Sequence, residues 1–387
     1  MNHPSSVSSR IHGLDTLRAL AIVLVFMYHY MVFVSSNDTF GFLSRIGWVG
    51  VDLFFALSGY LIGNQILAGL RDGRGFSLTN FYARRLLRTL PNYYLLVALY
   101  FLWPWFRGAH ELPPLWKFLT FTQNFLLQPG TAFSHAWSLC IEEQFYMVLP
   151  ALAIFVAARR GARTVAWTLV ALGFAAGMAI RAWCWVHYVG DSEQGGLNYM
   201  RYIYYSSFCR FDELVAGVAL ALLKNHHQAL WRRITAHGNA TGALGLLATG
   251  VTFACWLADD RGIVITVFGY PMLALSFALL IVAAVSERSV LRSARVPGAA
   301  SLALWSYAIY LTHKQVCVLA RPGLAALGYG PDSGVAVIAM TGLSVCFGWL
   351  LFRMVETPFL LLRDRWVPSN ARSRVDAAAG VAAVPAK

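Results

Sequence analysis

Arg18 and His29 stand eleven residues apart in the apolar stretch LDTLRALAIVLVFMYH. On a helix that spacing is three turns plus about 20°, so the two side chains share a face. Imidazole is the side chain best suited to take and return a proton near neutral pH, and a carboxylate beside it fixes its tautomer and steadies the imidazolium. Carboxylates recur in similarly apolar surroundings: Asp52 in GVDLFF, Glu142 and Glu143 in WSLCIEEQFY, and Glu213 near Arg210 in RFDEL, with a second histidine, His313, in SYAIYLTH. A different chemistry is written into FYARRLLR, residues 81–88. Arg85 and Arg88 share a helical face with Arg84 beside them, and guanidinium forks suit phosphate groups. Basic residues also flank membrane spans for topological reasons, so this motif alone reads as topology first.

The elements that hold these residues are apolar helices. The chain has 387 residues, 58% of them hydrophobic and 13% charged, a composition that belongs in lipid. Apolar runs long enough to cross a hydrocarbon core of about 30 Å predict ten spans, near 14–34, 47–68, 89–106, 140–158, 165–187, 203–223, 239–258, 263–285, 299–320 and 334–354. The expected fold class is an all-α polytopic membrane protein, a bundle of about ten transmembrane helices. Outside the spans, 21 Lys and Arg residues fall on the side of the N-terminus and 6 on the other. This bias places both termini in the cytoplasm, and an even number of spans agrees with it. The net charge of +13 is therefore topology rather than a nucleic-acid surface.

The first apolar run is too long for a signal-peptide core and is expected to be a retained helix. Residues 1–13 form a cytoplasmic N-terminal segment, 14–360 the membrane domain and 361–387 a cytoplasmic, disordered tail. The longest loop, near 107–139, reads as a lid over the outer face. Its neighbourhood supplies Trp116, Phe118, Phe121, Phe125, Phe133 and Trp137, which read as interfacial anchors before they read as stacking platforms for sugars. The six cysteines lie in or at the ends of spans without metal-ligand spacing, and His226 and His227 read as a solvated loop. No metal and no disulfide are expected.

A charge at mid-bilayer costs on the order of 3 kcal/mol, so every ionisable residue in a span is a functional candidate. Counting about 1.5 Å per residue puts Arg18 near the cytoplasmic surface and His29 roughly 20 Å deeper, with both directed into one cavity. The same count brings Asp52, Glu142, Glu143, Arg210, Glu213 and His313 to the level of His29. Helix-locking pairs are the structural alternative for any one of them.

Taken together, LDTLRALAIVLVFMYH, GWVGVDLFFALSGYLI, FYARRLLRTLPNYY, WSLCIEEQFYMVLP, RFDELVAG, SYAIYLTH and ETPF resemble, in this order, the acyltransferase-3 family of membrane O-acyltransferases, over residues 14 to about 360. The resemblance implies transfer of an acyl group, often acetyl, from cytoplasmic acyl-coenzyme A to a hydroxyl of a sugar or similar acceptor, frequently at the outer face of the inner membrane. It implies that His29 and Arg18 are the catalytic pair, with Glu142 supporting the reactive centre. It assigns Arg85 and Arg88, with Arg84, to the donor phosphates. Asp52, Glu143, Tyr146, Arg210, Glu213 and His313 stand as supporting residues. Acyl-CoA is then a co-substrate, and no tightly bound cofactor is expected. His29 would remove the acceptor's proton, with Arg18 steadying charge or guiding the donor, and an acyl-histidine route stays open. Some family members carry an appended hydrolase-like domain, and the chain length predicts none here. A glycan acceptor would then be met by the membrane domain or by a separate periplasmic partner. The rival expectation is a proton-coupled transporter using the same buried His, Glu and Arg. A non-catalytic glycan-binding component is the third.

Overall fold

The computed structural model describes residues 11–71 and 76–370. Arg10, Arg74, Arg372, Arg374 and Lys387, which enter the charge count, lie outside the described residues. So do residues 371–387 of the expected tail.

The described residues are helical, joined by turns. The long elements are α1 (His12–Tyr30), α2 (Val49–Arg71), α3 (Leu78–Leu102), α4 (Trp137–Ala157), α5 (Ala162–Cys184), α6 (Asp212–His226), α7 (Gly238–Ala258), α8 (Ile263–Val285), α9 (Ala299–Ala326) and α10 (Gly334–Leu351), followed by α11 (Thr357–Trp366). Seven of them, α1, α2, α4, α5, α7, α8 and α10, are long and apolar enough to cross a membrane. The chain is a multi-pass membrane protein. Leu244, Leu246 and Leu247 on α7 lie 53–65% exposed, an apolar surface that lipid tolerates and water does not. At the other extreme, α8 is the most buried of the seven.

Three expected spans take a different form. α3 and α9 have the length, at 25 and 28 residues, but carry arginines or Lys314 and are less apolar than the seven. α3 begins at Leu78, capped by Ser77, whose hydroxyl accepts from the Asn80 N–H at 3.2 Å. FYARRLLR is therefore helix throughout. The expected span at 203–223 is broken: Tyr199–Tyr204 winds as a π-helix, Ser207–Cys209 as a 3-10 turn, and only Asp212–His226 is regular. Fifteen residues rise about 22 Å, short of a bilayer. Such irregular backbone is stable at membrane depth only when protein surrounds it, and Ile203, Cys209 and Arg210 are fully buried.

Ties at the helix ends show the alternation of the chain. On the face that carries most of the arginines, Ser286 donates to Thr235 O at 2.5 Å and Asn370 donates to Ser77 O at 2.9 Å. On the opposite face, Tyr30 donates to Pro331 O at 2.6 Å and Trp185 to Arg261 O at 2.6 Å. These are called the basic face and the opposite face below.

Two expectations about segments need correction. Residues 361–366 complete α11, and Asp364 pairs with Arg84 on α3, so the expected tail does not begin at 361. The segment at 107–139 is a wedge and not a lid over the face. Phe118, Phe121 and Phe133 are buried in it, stacked around Tyr93 and Tyr100 of α3. Trp137 is buried as well, while Trp116 is 57% exposed. These rings fill the volume between α3 and α9, where apolar burial is worth more than an interfacial position.

The closest crossing is between α2 and α6. A Cβ on Gly59 would strike Leu214 O, and one on Gly217 would strike Ala56 O. Small residues permit this backbone approach, which substitutes for hydrophobic drive between helices in lipid. Gly217→Val is expected to cost about 1–3 kcal/mol by overpacking. A lowered melting temperature of the purified protein checks it.

Candidate active site

A polar cavity and a buried cluster of histidine side chains, called the histidine chamber below, lie on either side of one layer of side chains. On the basic side, a cavity of about 340 Å3 is lined by Arg18, Ser58, Arg85, Arg88, Glu142 and Tyr146, among others. Its cationic end is unpaired. Among the described residues no carboxylate lies within ion-pair distance of Arg18, Arg85 or Arg88, and Arg85 Nε has no hydrogen-bond partner. Arg85 stacks its guanidinium 3.9 Å from the centroid of the Tyr146 ring. The Tyr146 and Ser58 hydroxyls donate to the two oxygens of Glu142, at 3.2 and 3.1 Å. α4 organises the wall. Ser138, Glu142 and Tyr146 repeat every four residues on one helical face, so they run about 12 Å along the cavity.

At the other end, Ser138 and Tyr310 close the cavity. The Tyr310 hydroxyl donates to His135 O at 2.5 Å, and the Ser138 hydroxyl therefore donates to Tyr310 at 2.6 Å. Beyond them lies the histidine chamber. His29 Nδ1 is 2.7 Å from His313 Nε2, with the rings parallel at 5.0 Å between centroids. His135 stands edge-on to both, at 5.9 and 5.6 Å. Lys314 donates to Ser134 Oγ at 3.2 Å and to Thr131 O at 3.4 Å, with its ammonium 4.2 Å over the Phe33 ring.

The tautomers follow from the partners. His313 Nδ1 faces Ile309 O at 2.9 Å, and a carbonyl only accepts, so Nδ1 carries the proton. In the neutral ring Nε2 then holds a lone pair and accepts from His29 Nδ1–H. Neutral His29 is left with its lone pair on Nε2, where no hydrogen bond occupies it among the described residues. This geometry suits a base with an orienting group behind it, the orienting group being a second imidazole.

Several sequence expectations fall elsewhere. Arg18 lines the cavity but His29 does not; although they share a face of α1, Ser138 and Tyr310 stand between. Glu142 and Glu143 face the arginines and not His29. α4 begins at Trp137, after a 3-10 turn at Ser134–Ala136, which puts them about 4.5 Å deeper than a span starting at 140. Asp52 is six residues from Ser58, a rotation of about 240°, so the two face opposite ways. Asp52 pairs with Arg210 at zero exposure, Glu213 is buried beside them, and none of the three lines the cavity or reaches His29. Arg84 is spent on Asp364 at 2.7 Å and on Val367 O at 2.6 Å, turned away from Arg85 and Arg88.

The structure adds residues that sequence reasoning passed over. Lys314 is the neighbour of His313, and the insertion-cost argument that selected His313 applies to it equally. His135 lies two residues ahead of the WSLCIEEQFY block and Ser138 is its second residue, but nothing in their spacing marks them. Arg181 and Asp212 form a second fully buried ion pair; both lie in expected spans and carried the same cost signal.

The family model described as an acyltransferase domain, acyltransferase-3, matches residues 11–353. The chain belongs to the acyltransferase-3 family. Its relatives include the peptidoglycan O-acetyltransferase OatA of Listeria monocytogenes, 25% identical over 90% of this chain and 55% of the relative. The putative peptidoglycan O-acetyltransferase YrhL of Bacillus subtilis is 27% identical over 83% of this chain and 51% of its own length. The chain thus spans about half the length of these curated relatives. No solved structure matches it. Membership of a family described by an acyltransferase domain speaks for group transfer over the transporter.

Proposed function

We propose that this acyltransferase-3 protein moves an acyl group, acetyl by the names of its relatives, from acyl-CoA at the basic face to a glycan hydroxyl at the opposite face, with His29 as general base. On this reading the basic face is cytoplasmic and the membrane is the cell's inner membrane. The relatives' names make peptidoglycan the first acceptor to try, met directly or through a separate partner at that face.

The observation that carries the proposal is a cavity with arginines free of ion pairs at one end and Ser138 and Tyr310 at the other, where Tyr310 adjoins His29, whose Nε2 makes no hydrogen bond among the described residues. Arg85 and Arg88, with Arg18, would hold the donor's phosphates, and its flexible arm would lie along Ser138, Glu142 and Tyr146. The thioester then stops near Ser138 and Tyr310. His29 Nε2 takes the proton of the acceptor hydroxyl as that oxygen attacks the thioester carbonyl carbon. The tetrahedral oxyanion lies within reach of the Lys314 ammonium. It collapses by breaking the carbon–sulfur bond, and His29 returns its proton to the leaving thiolate. His313 Nε2 accepts from His29 Nδ1–H throughout.

Acetyl-CoA is expected to raise the melting temperature of the purified protein, and Arg85→Ala with Arg88→Ala to abolish the rise. Stabilisation that survives both substitutions, or is missing in the wild type at saturating donor, defeats the donor assignment.

A further inference from the structure

The opposite face holds a second cavity, of about 480 Å3, on the far side of α1 from the histidine chamber. Trp48 and Trp256 meet edge to face at 4.8 Å, and Tyr270 packs against both at 6.2 and 5.4 Å. Tyr28 and Tyr204 complete the aromatic lining, and Arg45, Asp260 and Arg261 stand at the mouth, 57–77% exposed in their side chains. The buried charges that do not reach His29 have their place here. The Arg210 guanidinium, fixed by Asp52, sits 4.7 Å over the Tyr204 ring and 4.4 Å over the Tyr270 ring. Cation–π contact is strongest in a dry interior, and here it sets ring orientation.

Aromatic walls alone would suit a lipid chain. These walls also offer donors: among the described residues the Tyr28 and Tyr204 hydroxyls and the Trp48 and Trp256 indole N–H groups donate to no protein atom, and none of them is a sealed-off buried atom. Flat apolar faces edged by free donors, with a charged rim, match a sugar ring, which is apolar on its C–H face and hydroxylated at its edge. An acyl chain would leave those donors without partners, which disfavours it.

We propose that this aromatic cavity is a glycan subsite, holding a sugar of the acceptor one or more residues along from the hydroxyl that reacts. The inference rests on the glycan-acceptor reading above. Tyr28 and His29 are consecutive, with rings 5.8 Å apart, and the 100° turn between them directs one into the aromatic cavity and the other to the histidine chamber. A chain of sugars passing over the last turn of α1 would occupy both. Binding energy from the remote sugar then assists reaction at the near one, so truncated acceptors react poorly.

The test measures acetyl transfer from acetyl-CoA, by the full-length purified protein, to soluble β-1,4-linked amino-sugar oligomers from monosaccharide to hexasaccharide. Wild type should favour long oligomers. Trp256→Ala should lower kcat/KM for the hexasaccharide at least tenfold, chiefly through KM, and leave the monosaccharide rate unchanged, so that the length preference disappears. Should Trp256→Ala lose donor-induced thermal stabilisation and so report misfolding, Tyr28→Phe and Arg261→Gln decide, each expected to weaken the hexasaccharide several-fold. An undiminished length preference in the folded variants overturns the subsite while leaving the glycan reading intact. Loss of a co-purifying phospholipid on Trp256→Ala, with oligomer kinetics unmoved, assigns the cavity to lipid and likewise overturns it. A wild type that acetylates none of the oligomers defeats the acceptor reading and the subsite together.

Discussion

His29→Ala is expected to lower acyl transfer by about 10^2–10^4-fold, the range for removal of a positioned general base, while acetyl-CoA still stabilises the protein. The two readouts separate because His29 lies beyond Ser138 and Tyr310, outside the cavity that holds the arginines. The effect should appear in kcat more than in the donor KM, since the interaction lost is made in the transition state. His313 gives the sharper test. His313→Leu removes the acceptor for His29 Nδ1–H and leaves the ring free to take the unproductive tautomer. His313→Gln can supply an amide oxygen in its place and should recover part of the lost rate. Equal activity of the Leu and Gln variants would argue that His313 only packs, and transfer at the wild-type rate in His29→Ala would remove His29 from the mechanism.

The second large effect is on stability. Asp52→Ala is expected to destabilise the fold by about 3–5 kcal/mol, because it leaves the Arg210 charge buried without its partner. Replacing both members with apolar residues, Asp52→Leu with Arg210→Met, should cost less than Asp52→Ala alone, since the unpaired guanidinium is gone and the buried Glu213 carboxyl beside it can take a proton and be neutral. Graded unfolding of the purified variants measures the order. A double variant less stable than the single one would mean that the guanidinium is held for its contacts with Tyr204, Tyr270 and Trp137 rather than for charge balance. That outcome would tie Arg210 more closely to the aromatic cavity it underlies.

The boundary between what was legible and what was not follows the period of the helix. Depth along a span can be counted at about 1.5 Å per residue, so Arg18 and the arginines of FYARRLLR could be set near one face and His29 near the other. Which side chains share a chamber depends on rotation as well as depth, and on where each helix begins. Three residues of extra helix ahead of Cys140 moved Glu142 and Glu143 to the arginine cavity. A rotation of about 240° between Asp52 and Ser58 turned Asp52 away from the cavity that Ser58 lines.

The sequence by itself determined a helical membrane protein and singled out Arg85, Arg88 and His29 as candidates for its chemistry. These are properties of one helix at a time: apolar length, the cost of burying charge, and spacing within a single span. Tertiary structure alone decided the partners. Asp52, Arg210 and Glu213 matched the depth of His29 but turned into a separate core beneath the aromatic cavity, while His135, Ser138, Tyr310 and Lys314, from two distant segments, closed around it. The reason is that a buried polar group takes whichever partner the helix packing brings within hydrogen-bonding distance. That packing depends on close crossings such as Gly59 against Leu214 and Gly217 against Ala56, contacts between residues more than 150 positions apart that no local pattern encodes.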